Sequence, residues 1–148
     1  MEELHYEDIS VGDTDEFGSY TVSKEEITAF AEQYDPQPFH VDEEVAKESA
    51  FGGLVASGLQ TVGIGQRMMV ENMLLNSSAR GALGVDNLRW KQPTRPGDTL
   101  SVKTEIVKKR PWIDDLGIVS IQMTVVNQND EKLVSLIVLI QFGMNDDA

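Results

Sequence analysis

The chain has 148 residues, 25 acidic against 12 basic side chains for a formal charge of −13, and no cysteine. That length fits one domain, residues 1–148, able to bury about two thirds of the surface its unfolded chain exposes. The charge argues against nucleic acid or an anionic membrane as a general partner, and the absent cysteines exclude disulfides, thiolate zinc sites and a cysteine nucleophile.

The first ten residues, "MEELHYEDIS", carry acids where a targeting peptide carries bases. No apolar run approaches the roughly 20 residues that span a bilayer, so a soluble, cytoplasmic protein is expected. The two histidines, His5 and His40, lie far apart and form no HxxxH or HExxH spacing, so no metal site is expected. The acidic coat itself suggests solubility at high salt.

In chain order, "YTVSKEEITAFAEQYDP" reads as the end of a strand followed by a helix. Ser23 and Glu26 make a capping box, Ile27, Phe30, Ala31 and Tyr34 form one apolar face, and Pro36 ends the run. Asp35 therefore stands at the helix exit. In "DPQPFHVD", residues 35–42, two prolines restrict their own torsions and those of the residues before them. We expect a stiff, non-helical bracket that holds Asp35 and His40 at a set separation.

Asp42 caps a short second helix over "EEVAKESA", which stops at Phe51-Gly52-Gly53. Beyond it, "LVASGLQTVGIGQRMMVENMLLNSSA" is nearly continuous in apolar character over about six turns, the central buried helix. Gly58, Gly63 and Gly65 within it each cost about 1 kcal/mol relative to alanine, which calls for a compensating close approach by a neighbouring backbone or ligand. After Gly81 the period becomes two. "LGVDNLRWKQP", "TLSVKTEIV", "GIVSIQMTVV" and "KLVSLIVLIQFGM" read as strands, with "RPGD" and "NQND" as turns and "NDDA" as a short polar tail. Helices first and consecutive strands after imply an α+β fold with an antiparallel sheet.

Charge is uneven along the chain. Residues 80–110 hold eight bases against three acids, a local +5, leaving −18 on the remaining 117 residues. Such a segment either blunts strand edges or receives a polyanionic small ligand.

Asp and His five residues apart do not by themselves make a catalytic pair, because loop aspartates often bind backbone N–H groups and a lone histidine is often structural. Their neighbours add weight. "AFGGLVASG" sets a glycine-rich loop at the start of the long helix, where unpartnered amides and the helix dipole favour developing negative charge. An acid/base pair beside an amide-lined anion pocket is a catalytic combination.

Asp35-Pro36-Gln37-Pro38-Phe39-His40-Val41-Asp42, with Ala50-Phe51-Gly52 and Val55-Ala56-Ser57-Gly58, resembles the hydratase motif of the MaoC-like dehydratases, the (R)-specific enoyl-CoA hydratases. "LGVDNLRWKQP" and "RPGDTLSV" resemble the same family's sheet region, so the likeness covers almost the whole chain. It implies a hot-dog fold, an antiparallel sheet wrapped around one long helix. It also implies syn hydration of a trans-2-enoyl-CoA or the reverse dehydration of an (R)-3-hydroxyacyl-CoA, with the CoA thioester as substrate and no cofactor. Matched position by position, Asp35 and His40 are the catalytic acid/base residues and the Gly58 amide is the donor to the thioester oxygen. We assign Asp35 as base on the water and His40 as second water ligand and proton donor. If the pocket is largely apolar, burial should raise the Asp35 pKa and lower that of His40.

Two positions depart from the family pattern: Ser57 stands where histidine is frequent, and Gln37 where asparagine is frequent. Ser57, Arg89, Lys91 and Arg95 are candidate substrate-binding residues, the three bases as CoA-phosphate contacts. Gln66 reads as a helix-surface residue, and Trp90 and Trp112 as sheet or interface packing. The resemblance implies a homodimer or higher even oligomer. The sequence agrees in one respect, since apolar strands at 117–126 and 133–142 would make poor exposed edges. An acyl-CoA thioesterase and a non-catalytic acyl-CoA-binding domain are the competing readings for this fold.

Overall fold

The computed structural model describes residues 3–145, so the last three residues of the polar tail lie outside it. Five strands, β1 (Thr14–Thr21), β2 (Ala79–Trp90), β3 (Thr99–Pro111), β4 (Leu116–Val126) and β5 (Lys132–Gly143), form one sheet in the order β1-β3-β4-β5-β2. Every pairing is antiparallel. The helices are α1 (Lys24–Tyr34), α2 (Pro38–Val41), α3 (Glu43–Lys47) and α4 (Gly58–Met69), the last continued by a π-helical turn at Val70–Leu74. The expected α+β hot-dog arrangement is present: α4 lies across the sheet and packs against β1, β3, β4 and β5.

Period-two residues make the floor of the core. Leu100 and Val102 of β3, Val119, Ile121, Met123 and Val125 of β4, and Val134, Leu136 and Val138 of β5 are buried under Ile64, Met68 and Met69 of α4. Gly65 permits a close approach of helix and sheet, since a Cβ there would stand 2.6 Å from Val125 Cγ2 and 3.2 Å from Met123 Cε. Gly63 differs from the expectation: a Cβ there meets nothing within 4 Å.

The long helix is shorter than its apolar pattern suggested. Leu54–Ala56 run extended, because Val55 N donates to Phe39 O and Ala56 N to Thr94 O, and α4 begins only after Ser57 caps it. The bracket also differs. Residues 38–41 make one helical turn with Pro38 at its first position, where proline's missing N–H costs nothing and its fixed φ suits a helix.

The strands argued to be poor edges are not edges. β4 and β5 are interior, and the free edges belong to β1 and β2. The basic segment is likewise not one patch, because β4 and β5 separate β2 from β3. Of the bases on β3, Lys103 is paired with Asp130 at 2.7 Å and Glu16 at 3.5 Å, and Lys109 donates to the carbonyls of Tyr6 and Ile9.

Candidate active site

Asp35 is the C-cap of α1, as its position before Pro36 required. The 36–37 connection then turns the chain so that His40, on α2, comes back toward it. His40 Nε2 lies 3.4 Å from Asp35 Oδ2, with the histidine side chain 7% and the aspartate 22% exposed. Phe39 sets its ring edge-on to the imidazole, centroids 4.5 Å apart, and Phe51 packs on Phe39 in turn.

The tautomer follows from the partners. His40 Nδ1 is 2.7 Å from the Val55 carbonyl oxygen, and a carbonyl can only accept, so Nδ1 carries a proton. Nε2 is then a lone pair in the neutral ring and a donor in the imidazolium. A neutral Nε2 and a carboxylate oxygen are both acceptors. Their 3.4 Å separation suits a water that bonds to both, or a protonated ring facing the carboxylate.

Each Asp35 oxygen has one donor. Gln37 Nε2 donates to Oδ1 at 2.8 Å and the Ser57 hydroxyl to Oδ2 at 2.7 Å. Those two bonds, first Gln37 and then Ser57, hold the carboxyl below its ordinary pKa, with a smaller contribution from His40 and against the opposing effect of burial. This reverses the expected upward shift. The pocket is apolar overall, but the carboxylate oxygens are served by polar donors.

Ser57 also accepts from Leu59 N and caps α4, so its hydroxyl is committed to Asp35 and to the helix start. Gly58 is the first residue of α4, where an amide has no acceptor inside the helix. A Cβ on Gly58 would collide with Nε1 and Cε2 of Trp90, the residue that ends β2. Here the compensating close approach expected for the glycine is an indole.

These groups line a cavity of about 570 Å³ whose walls include Phe39, Phe51, Val55, Leu59, Trp90 and Pro93, with Lys91 and Gln92 as polar members. Of the candidate phosphate contacts only Lys91 lines it. Arg89 Nη1 donates to Leu88 O, and Arg95 Nη2 donates to Phe51 O at 2.8 Å, which ties down the glycine-rich loop. Gln66 does not line the cavity, and Trp112 stacks with Arg110 on β3. Sequence reasoning missed the Val55 carbonyl, the Gln37 amide and the hydroxyl pair of Thr61 and Thr94. Only Gln37, inside the motif, left a signal. Among the described residues no group of three or more His, Cys, Asp or Glu is placed to hold a metal, and no helix is long and apolar enough to cross a membrane.

The MaoC-like domain model matches residues 9–127, a span that holds the aspartate, the histidine, the helix start and four of the five strands. The chain belongs to the MaoC-like domain family. Among family relatives, a MaoC-like dehydratase from Rhodospirillum rubrum superposes with a TM-score of 0.88 at 38% identity, covering 96% of this chain and 98% of the other. The uncharacterized protein YdeM of Bacillus subtilis is 31% identical over 130 residues, 88% of this chain and 92% of its own. A 3-hydroxybutyryl-CoA dehydratase of Methylorubrum extorquens is 31% identical over 110 residues, 73% of this chain and 67% of its own. This MaoC-like chain thus shares its fold and much of its length with dehydratases.

Proposed function

We propose that the protein is an (R)-specific enoyl-CoA hydratase and 3-hydroxyacyl-CoA dehydratase, a cytoplasmic hydro-lyase that needs no cofactor. The observation that carries this reading is the 3.4 Å placement of His40 Nε2 beside Asp35 Oδ2, on the wall of an apolar cavity that also holds the first amide of α4. An acyl-binding module has no use for a proton-transfer pair.

In the proposed reaction the enoyl thioester lies with its carbonyl oxygen at the Gly58 N–H. Water is held between Asp35 and His40 on one face of the double bond. Asp35, kept ionised by Gln37 and Ser57, takes a proton from the water as its oxygen bonds to C3. Charge moves onto the thioester oxygen, where one preorganised donor contributes about 3 to 4 kcal/mol. The proton for C2 comes from Nε2 of His40 acting as the imidazolium, the form in which Nε2 is a donor while Nδ1–H stays on Val55, and the Asp35 carboxyl is held on the ionised side. Water and proton arrive from the same side, giving syn addition. Asp35 then returns its proton to Nε2, and dehydration is the reverse sequence.

Lys91 at the cavity wall is the base best placed for a CoA phosphate. A homodimer or higher even oligomer accords with β2, a 12-residue free edge on which Leu83, Val85 and Trp90 are about half exposed. The test is incubation of purified protein with crotonyl-CoA at low and high salt, with chiral product analysis and a parallel free-thiol assay. (R)-3-Hydroxybutyryl-CoA without thiol release is expected; thiol release instead would make the protein a thioesterase.

A further inference from the structure

Thr61 and Thr94 meet across 33 residues of sequence. Their hydroxyl oxygens are 2.7 Å apart, each residue is 2% exposed, and both line the cavity that holds Asp35 and His40. Two hydroxyls carry two protons, and the bond between them uses one. Neither makes a further hydrogen bond among the described residues.

The usual outlets for the second proton are closed. A helical threonine commonly donates to the carbonyl four residues back, but Thr61 turns its hydroxyl to Thr94, and Ser57 O already accepts from Gln60 N and Thr61 N. The Thr94 carbonyl already accepts from Ala56 N, and neither threonine hydroxyl donates to it. One buried O–H donor, together with unused lone pairs, is therefore left at the cavity wall. Leaving such a group dry is costly.

Position says what would satisfy it. Thr61 follows Ser57 by four residues on α4, about 6 Å further along the helix axis, and Ser57 is the residue that touches Asp35. That offset is the reach of a few carbon–carbon bonds from the reacting carbons. A plain alkyl chain lying there would leave the spare O–H unpaired.

We infer that Thr61 and Thr94 form a polar subsite in the acyl pocket, selecting enoyl thioesters whose chain carries a hydroxyl oxygen a few carbons beyond the double bond. The inference rests on the hydratase reading and narrows its substrate class. The substrate oxygen accepts the spare O–H, and its own proton returns to a threonine lone pair. The pair is then a specificity-determining element, separate from the proton-transfer chemistry.

The test compares hydration of trans-2-pentenoyl-CoA with its 5-hydroxy derivative and of trans-2-hexenoyl-CoA with its 6-hydroxy derivative. It uses wild type and the double variant Thr61→Val/Thr94→Val. Removing both hydroxyls with groups of similar shape leaves no orphan and should preserve the fold, which thermal unfolding checks. Wild type should prefer a hydroxylated substrate at one or both lengths by about tenfold or more in kcat/KM, the worth of one buried hydrogen bond. The double variant should lose that preference and gain on the plain chain. Equal rates for each pair in wild type, or a preference unchanged in the variant, would reduce the threonines to a clasp between α4 and the 91–94 segment and overturn the inference while leaving the hydratase reading intact. Hydration of none of the four substrates would overturn both.

Discussion

His40 Nδ1 donates to the Val55 carbonyl at 2.7 Å, and this single bond fixes which ring nitrogen faces Asp35. Val55 belongs to the extended strap that precedes α4, so the strap that delivers Gly58 also sets the tautomer of His40. The orientation of the imidazole and the start of α4 are thereby built as one unit.

Ser57→Ala removes two interactions at once. Loss of the cap on α4 should lower stability by about 1 kcal/mol, seen as a lower Tm. Loss of the donor to Oδ2 should raise the Asp35 pKa toward the ordinary carboxylate value, moving the acid limb of the kcat/KM profile to higher pH. A lower Tm with an unmoved acid limb would confine Ser57 to capping.

The wild-type profile has its own sign. In the proposed reaction Asp35 works as a carboxylate, and its folded pKa is depressed, so activity should persist to pH values below the usual carboxylate range before falling. Stability follows the same group. The contribution of Asp35 is fully present above its unfolded pKa and is lost as pH falls through the lower folded value. Acid titration of wild type against Asp35→Asn, monitored by circular dichroism, should show the difference between the two shrinking only in that acid window.

Gly58→Ala places a methyl group where the Trp90 indole lies. Moving the indole or the helix start should cost about 1 to 3 kcal/mol of stability and most of the hydration rate. Because the clash is with a side chain, Gly58→Ala/Trp90→Ala should regain stability relative to Gly58→Ala alone. A double variant no more stable than the single would place the problem in the backbone.

Lys91→Ala should raise KM for the CoA thioester several-fold with little change in kcat, and the effect should shrink as salt rises, as expected for an exposed charge on a phosphate. An equal effect at low and high salt would remove Lys91 from phosphate binding.

Much of this was legible in the sequence because it is local. The Ser23–Glu26 capping box, the exit of α1 at Asp35 and the period-two strands β3 and β4 depend on near neighbours, and each stands where its pattern placed it. The misreadings concern distance and order. Residues 54–57 are as apolar as the helix that follows, and only hydrogen bonds to Phe39 and Thr94 show them to be extended. Strand order is invisible to periodicity, so the apolar β4 and β5 raised the question of exposed edges although they are interior, and the bases of β2 and β3 stood together in sequence although two strands separate them. The Asp35 environment was missed for a similar reason. The Ser57 donor is 22 residues away, and local burial alone points to the opposite shift. The Thr61–Thr94 pair leaves no pattern at all in sequence.

Whether Asp35 and His40 hold and activate the water is decided by crotonyl-CoA hydration in Asp35→Asn and His40→Gln alongside wild type, with CoA binding measured by calorimetry. Each variant should remain folded and bind CoA normally while kcat falls about a hundredfold or more. Near wild-type kcat in either variant would contradict that role for the residue, and in both would remove the pair from the chemistry altogether.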